Sequence, residues 1–253
     1  MHHARTLPTA TLLKTNKVLI VGGNYDDLTA ELYDPGTGSF SDTGSTTVVR
    51  SGHTATLLID GRVLIAGGGD YSNTAELYDP SSGTFTAIAA DMSGSRSGHT
   101  ATLLGAADKP DDGAVLVIGT DGTADLYHPD TQTFEQVGSL PSRQGHFDYS
   151  GHTASLRNDG TVLATGGYAF RVNVFICVQY SSYGGADLFA PESEGFTATG
   201  SLNTPRENQT ATVLQDGTIL VAGGVHRAYN GRPSGYRPKC TLTTVLSSAE
   251  LFK

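Results

Sequence analysis

The sequence predicts an all-β protein folded as a β-propeller of five four-stranded blades. The main observation is a block of residues that returns five times along the 253-residue chain. Each copy holds four short runs with strand-like patterns, separated by Gly, Asp, Asn and Pro. The first two copies differ by 45 positions throughout, from Gly22 to Gly67 and from Tyr33 to Tyr78. Strand-only repeats of this length are typical of propeller blades.

The second copy shows the four predicted strands most clearly. Its first strand, 54–58, alternates Thr with apolar residues, and its second, 63–66, is apolar and β-branched. The third, 75–78, alternates again, and the fourth, 84–88, opens on an aromatic residue. Asp60-Gly61 stands between the first two strands, where a tight hairpin needs residues that tolerate positive φ. We expect one domain, residues 1–253, with blades at about 5–45, 50–90, 96–138, 143–201 and 206–253.

The repeated residues resemble kelch repeats of the bacterial type. The resemblance rests on His-Thr-Ala-Thr-Leu-Leu from His53, the double glycine Gly67-Gly68, and Ala-Glu-Leu-Tyr-Asp-Pro from Ala75. It covers essentially the whole chain and implies a propeller. The chain departs from the kelch pattern because it has no Trp. We expect Phe to take the place of the usual fourth-strand Trp between blades, at Phe40, Phe85, Phe134 and Phe196.

The fifth copy is predicted to lack its outer strand. The chain reaches Lys253 directly after the third strand of this copy, and the first copy begins with a first strand of its own. We therefore expect a truncated or processed piece of a longer propeller. The alternative is a three-stranded last blade, whose exposed edge would allow two chains to associate.

Composition argues against two classes of partner. The formal net charge is −9, whereas a nucleic-acid backbone requires a basic surface. We find no apolar run long enough to span a membrane. The N-terminal residues do not have the pattern of a signal peptide.

The two cysteines are Cys177 and Cys240. Both fall between the second and third strands of adjacent blades, so we expect them on the same face. We predict a disulfide, which would stabilise the fold by roughly 4 kcal/mol on the chain-entropy model. A disulfide implies an oxidising compartment, and hence an extracellular, cell-surface or periplasmic location. The alternative is two free thiols in a reducing cytosol.

Departures from the repeat predict where the protein binds other molecules. Three insertions, 146–152, 168–185 and 225–248, fall on the face that carries the loops between second and third strands. Variable loops on a rigid scaffold commonly carry binding sites. Tyr rings suit sugars, and Arg suits carboxylates or phosphates. The alternative is that the insertions only cover the mouth of the ring. The predicted ligand-binding residues are His146, Asp148, Tyr149, Tyr168, Arg171, Tyr180, Tyr183, His226, Arg227, Tyr229, Arg232, Tyr236 and Arg237.

One Arg and one carboxylate recur in every copy. We predict a buried or half-buried ion pair in each blade. The alternative is a ring of arginines displayed to an acidic ligand, as the resemblance to kelch domains that bind acidic peptides would suggest. The arginines are Arg5, Arg50, Arg96, Arg143 and Arg206, and the acids are Glu31, Glu76, Asp125, Asp187 and Glu250.

Histidine occupies one repeat position in three copies, as His53, His99 and His152, and Pro8 and Gln209 occupy it in the others. Three imidazoles near a pseudo-symmetry axis suit a metal. We favour structural histidines hydrogen-bonded to backbone between blades, because Pro and Gln are also accepted there.

The sequence therefore predicts a binding module without a cofactor, which presents its loops to a glycan, peptide or protein. The alternative is an enzyme. Kelch propellers include the catalytic domain of galactose oxidase, and this resemblance implies a copper site of two Tyr, two His and a Cys bonded to one Tyr. No residue-by-residue match can be drawn. A lyase or hydrolase using His146, Asp148, Tyr149 and His152 for proton transfer is a further alternative.

Overall fold

The computed structural model describes residues 1–23, 28–69, 72–105, 113–141, 150–173, 177–229 and 241–252. For residues 169–173, 177–180, 229 and 241–242 it describes the backbone alone. The described residues form mainly strands and turns, with a short 3-10 turn at Pro191–Ser193. The predicted all-β, propeller-like fold class is confirmed, because five antiparallel sheets follow one another along the chain, each built from one copy of the repeat.

Three four-stranded sheets come first, and each keeps the chain order of its strands. The first contains β1 (Thr9–Leu12), β2 (Val18–Val21), β3 (Thr29–Asp34) and β4 (Ser39–Ser45). The second contains β5 (Thr54–Leu57), β6 (Val63–Ala66), β7 (Ala75–Asp79) and β8 (Thr84–Ala87). The third contains β9 (Thr100–Leu103), β10 (Val115–Ile118), β11 (Thr123–His128) and β12 (Thr133–Ser139).

The last two copies carry additional strands. The fourth copy contains β13 (His152–Leu156), β14 (Val162–Gly166), β15 (Tyr168–Asn173), β16 (Cys177–Ser182), β17 (Gly185–Ala190) and β18 (Gly195–Ser201). The fifth contains β19 (Thr210–Val213), β20 (Ile219–Ala222), β21 (Val225–Tyr229), β22 (Thr241–Val245) and β23 (Ala249–Phe252). Their main sheets are β13-β14-β17-β18 and the three-stranded β19-β20-β23, so the described last blade lacks an outer strand as predicted.

The chain divides into two compact units. The first unit holds the first two sheets and most of the third, and the second unit holds the last two. A single domain over residues 1–253 stays a prediction. Among the described residues, no helix is long and apolar enough to cross a membrane.

Apolar second strands and paired aromatic rings build the cores between neighbouring sheets. Every residue of β6 is buried, as is every residue of β10. In the first unit, Phe85 of the second sheet packs on a cluster that includes Leu19 of the first sheet. Phe85 also lies against Tyr78, with ring centroids 4.8 Å apart. Phe85 therefore lies between neighbouring sheets, as predicted for the residue that replaces Trp.

The double glycine brings the second strand of one sheet against the neighbouring copy. At Gly67, φ is +64°, and a Cβ would lie 2.4 Å from the carbonyl oxygen of Arg96. The next residue, Gly68, donates its N–H to that same carbonyl at 2.7 Å. Only glycine fits this approach, since it combines positive φ with direct backbone contact.

Candidate functional site

The two long insertions of the second unit are β-hairpins. The sequence predicted loops at 168–185 and 225–248, but β15 pairs with β16 from Tyr168↔Ser182 to Asn173↔Cys177. Likewise β21 pairs with β22 from Val225↔Val245 to Tyr229↔Thr241. Backbone pairing satisfies the polar groups of these long segments, so regular strands replace the expected irregular loops.

The two hairpins lie side by side, because β16 contacts β21. Ser182 at the end of β16 connects them. Its hydroxyl donates to the Val225 carbonyl at 3.2 Å and accepts the Arg227 backbone N–H at 2.7 Å. We call residues 168–182 and 225–245 the paired hairpins.

Backbone hydrogen bonds fix the base of the paired hairpins. Glu207 and Val225 exchange two backbone hydrogen bonds, of 3.0 and 2.9 Å. The Tyr183 N–H donates to the Gly167 carbonyl at 2.7 Å. The Nδ1 atom of His226 lies 2.8 Å from the carbonyl oxygen of Pro205. Both hairpins therefore rise from an ordered base.

Arg227 joins the second hairpin to a buried carboxylate. Its Nε lies 2.6 Å from Oε1 of Glu207, whose side chain is fully buried. The guanidinium carbon also lies 5.5 Å from the centre of the Tyr168 ring, within cation–π range. Burial raises the pKa of Glu207, and the positive charge of Arg227 partly opposes that rise. Sequence reasoning overlooked Glu207. The residue after the repeat arginine is Thr6 in the first copy and Ser51 in the second, so a carboxylate at this position was a visible departure from the repeat.

The predicted ligand-binding residues fall into three groups. At the base of the paired hairpins, with their side chains described, are Tyr168, Tyr183, His226 and Arg227. On the hairpin strands, with only their backbone described, are Arg171, Tyr180 and Tyr229. Outside the described residues lie His146, Asp148, Tyr149, Arg232, Tyr236 and Arg237.

The predicted disulfide involves one residue outside the described part of the chain. Cys177 begins β16, and Cys240 lies outside the described residues. The pairing therefore stays a prediction.

The repeated Arg–acid pairs are confirmed in four copies. Arg50 Nε lies 2.5 Å from Glu76 Oε1, and both side chains are fully buried. The other three pairs are Arg5–Glu31 at 3.1 Å, Arg206–Glu250 at 2.6 Å and Arg96–Asp125 in direct contact. These four arginines support the fold internally, so the alternative of an arginine ring displayed to an acidic ligand is wrong for them. Arg143 lies outside the described residues.

The repeat histidines also connect neighbouring copies. Nε2 of His53 lies 2.8 Å from the hydroxyl of Thr9 in the preceding copy, and His99 contacts Thr54 at the same distance. The structural interpretation is confirmed for these two, but the expected partner was wrong: it is a Thr hydroxyl rather than backbone. Burial, assisted by the charge of Arg50, lowers the pKa of His53 to about 4.

Comparisons with known proteins support the fold. No family model matches the chain, and no curated protein matches it. A solved structure that the chain resembles is a fungal alcohol oxidase of the AA5 family, in complex with copper. The TM-score is 0.70 at 17% sequence identity, over 99% of this chain and 54% of that chain. The chain thus spans about half the length of that oxidase, and the likeness shows a shared fold. The kelch assignment stays a resemblance.

Proposed function

We propose that this protein is a binding module whose paired hairpins recognise a glycan, a peptide or a protein partner. The observation that carries the proposal is that two insertions enter at the same point of neighbouring copies and that their paired strands, β15–β16 and β21–β22, lie together. Backbone that is already paired before binding loses less conformational entropy when the ligand arrives. The first two copies have much shorter connections at this point, in residues 22–28 and 67–74.

The chemistry at the base of the hairpins suits a polar ligand with flat or ring-shaped parts. The Arg227 side chain is 29% exposed beside Tyr168, so part of this stacked pair is accessible. Aromatic faces bind sugar rings, and a guanidinium donates to carboxylate or hydroxyl oxygens. Glu207 balances the charge of Arg227. We therefore expect the site to select a ligand by its shape and hydrogen bonds rather than by its negative charge.

The binding experiment compares the wild type with hairpin variants on two probe sets, a printed glycan array and a library of Asp- and Glu-rich peptides. In the main variant, residues 168–182 are replaced by the short connection 69–74 of the second copy. A second variant, Arg171→Ser with Tyr180→Ser, keeps the hairpin backbone. We expect both to weaken the best interaction by about tenfold or more, as loss of central contacts does.

The control for this experiment changes the other end of the same sheet. Asn158→Ser lies in the β13–β14 turn, where the two strands are joined opposite the hairpin, and should leave affinity unchanged. Thermal unfolding identifies any variant that fails to fold. Unchanged affinity in both folded hairpin variants would contradict the proposal.

The proposed location follows from the predicted Cys177–Cys240 disulfide. Such a bond persists in oxidising compartments, so we place the protein outside the cell, at its surface or in the periplasm. Thiol titration under denaturing, non-reducing conditions tests this, and two free thiols would contradict it.

A second candidate function is copper-dependent alcohol oxidation, favoured by the likeness to a copper-bound alcohol oxidase. The described side chains do not assemble a copper site at the hairpins. His226 is already hydrogen-bonded through Nδ1, and no cluster of three His, Cys, Asp or Glu ligand atoms forms there among the described residues. Elemental analysis of the non-reduced protein after copper loading and dialysis tests this candidate. Stoichiometric retained copper, with peroxide released from a primary alcohol, would favour it over the binding module.

A further inference from the structure

Two imidazoles and two carboxylates meet at one edge of the first sheet. Nδ1 of His2 lies 3.1 Å from Oδ1 of Asp42 and 4.0 Å from Oε1 of Glu31. Nε2 of His3 lies 3.8 Å from the same Asp42 oxygen. One ligand atom from each of His2, Glu31 and Asp42 falls within 4.8 Å of the other two.

The backbone of this place recurs in other copies without the imidazole. The His2 N–H donates to the Glu31 carboxylate at 2.6 Å, as the Thr47 N–H donates to Glu76 at 2.8 Å. The backbone N–H at position 2 therefore makes the same hydrogen bond as the backbone N–H at position 47. In the second copy the residue that makes it is a Thr. The imidazole of His2 is an addition that the repeat does not require.

The second carboxylate is also particular to this copy. Asp42 lies opposite Glu31 in the β3–β4 pairing. In the second copy, Ala87 lies opposite Glu76 at the matching place in β7–β8. The first sheet thus carries two extra ligating groups, on neighbouring segments, beside a carboxylate that every copy has.

We propose that His2, Asp42 and Glu31, with His3 beside them, bind a divalent first-row transition-metal ion such as zinc. Imidazole nitrogen and carboxylate oxygen are ligands that such ions accept. Ligand atoms around tetrahedral zinc, each about 2.0–2.2 Å from the metal, are roughly 3.3 Å apart. The His2–Asp42 separation already matches this spacing. The His2–Glu31 separation needs a contraction of less than about 1 Å, on the same geometry.

The two oxygens of the Glu31 carboxylate have different neighbours. Arg5 Nε donates to Oε2 of Glu31 at 3.1 Å, so Oε1 is the oxygen that faces His2. Beside the two carboxylates stand the positive charges of Arg5 and of the N-terminal ammonium, so the ligand atoms themselves, rather than an excess of negative charge, would hold the ion.

The three ligand residues differ in how far their side chains are exposed to solvent. The side chains of His2 and Asp42 are 55% and 65% exposed, whereas Glu31 is fully buried. Exposed side chains can reorient around an arriving ion, while Glu31 anchors it to the sheet. Bound metal would tie the segment before β1 to β4. This site lies in the first unit and does not depend on the proposed binding function of the paired hairpins.

The experiment titrates zinc chloride into the chelator-treated protein and measures heat and the midpoint of thermal unfolding. The repeat supplies the variants: His2→Thr and Asp42→Ala place in the first copy the residues that the second copy has. We expect each variant to bind zinc about tenfold more weakly or worse, as loss of a metal-site group does. Zinc should raise the unfolding midpoint of the wild type and not that of D42A.

The matched control is His128→Gln, which removes another partly exposed imidazole, 3.4 Å from a carboxylate of Glu135. This variant should bind zinc as the wild type does. The proposal is wrong if the wild type binds no zinc, or if H2T and D42A keep its affinity. Equal losses of zinc affinity in H128Q and H2T would also overturn the proposal, because they would indicate that zinc binds surface imidazoles in general.

Discussion

The buried pair of Arg50 and Glu76 offers a sharp test of how the repeat is stabilised. Glu76→Gln removes the negative charge while keeping a side chain of nearly the same shape. The carboxylate accepts the Arg50 Nε–H at 2.5 Å and the Thr47 backbone N–H at 2.8 Å. Gln still offers one acceptor oxygen, but the guanidinium is left buried without its counter-charge.

Burial sets the size of the expected effect. Both side chains are fully buried, so solvent cannot compensate for the lost charge. Removing one partner of a buried ion pair costs about 3–5 kcal/mol. The control is Asp60→Asn, which breaks an Arg62–Asp60 pair of 2.6 Å whose side chains are 29% and 44% exposed. An exposed pair contributes less than about 1 kcal/mol, so this variant should be nearly neutral.

Urea unfolding and thermal unfolding measure both variants against the wild type. A loss of about 3 kcal/mol corresponds to a midpoint lowered by roughly 6–12 °C for a chain of this size. The control should shift by no more than about 4 °C on the same scale. Equal, small shifts in E76Q and D60N would refute the reasoning, because they would show that the repeated pair adds little to stability.

Two further predictions concern the contacts between copies. Gly67→Ala should cost roughly 3 kcal/mol, because a Cβ at φ +64° would lie 2.4 Å from the Arg96 carbonyl oxygen. Gly38→Ala, at φ +68° with open space around it, should cost only about 1 kcal/mol in the same urea titration, and equal costs would contradict the argument. Burial and Arg50 lower the pKa of His53 to about 4 in the folded protein, so protons bind the unfolded chain more readily. Stability should therefore be full above about pH 6.5 and fall by up to about 3 kcal/mol towards pH 4. The variant H53Q carries the residue of the fifth copy and should lack this loss of stability. If the free energy of unfolding falls equally with pH in H53Q and in the wild type, the prediction is wrong.

Local patterns were sufficient to predict the repeated strands and the internal pairs. Alternation, an apolar second strand and turn residues predict β5 to β8, because successive side chains of a strand point to opposite faces and a tight turn needs residues that tolerate positive φ. One Arg and one acid per copy predict the ion pairs, because a charge that recurs in a tightly packed repeat needs a partner. The histidine partner was missed, since a hydroxyl on the preceding copy is a neighbour only in three dimensions.

The candidate site was predicted less well because it lies where the repeat is broken. The segment Thr241–Val245 reads Thr-Leu-Thr-Thr-Val and is rich in β-branched residues, so the β21–β22 hairpin had a strand signal that was overlooked. The meeting of Asp42 with Glu31 was also overlooked. It follows from the regular β3–β4 register, which runs from Asp34↔Ser39 to Glu31↔Asp42 before the pairing shifts. The carboxylate partner is neighbouring only across two paired strands, so a repeat-by-repeat reading of the sequence does not bring the two residues together.

Hydrogen exchange with and without the best-binding glycan or peptide tests most directly whether the paired hairpins are the recognition surface. Bound ligand should slow exchange in residues 168–182 and 225–245, because the backbone there becomes less able to open. It should leave the turns 157–161 and 214–218 unchanged, since these join the strands at the other end of the same two sheets. Protection at those turns, or at neither place while the ligand is bound, would contradict the account.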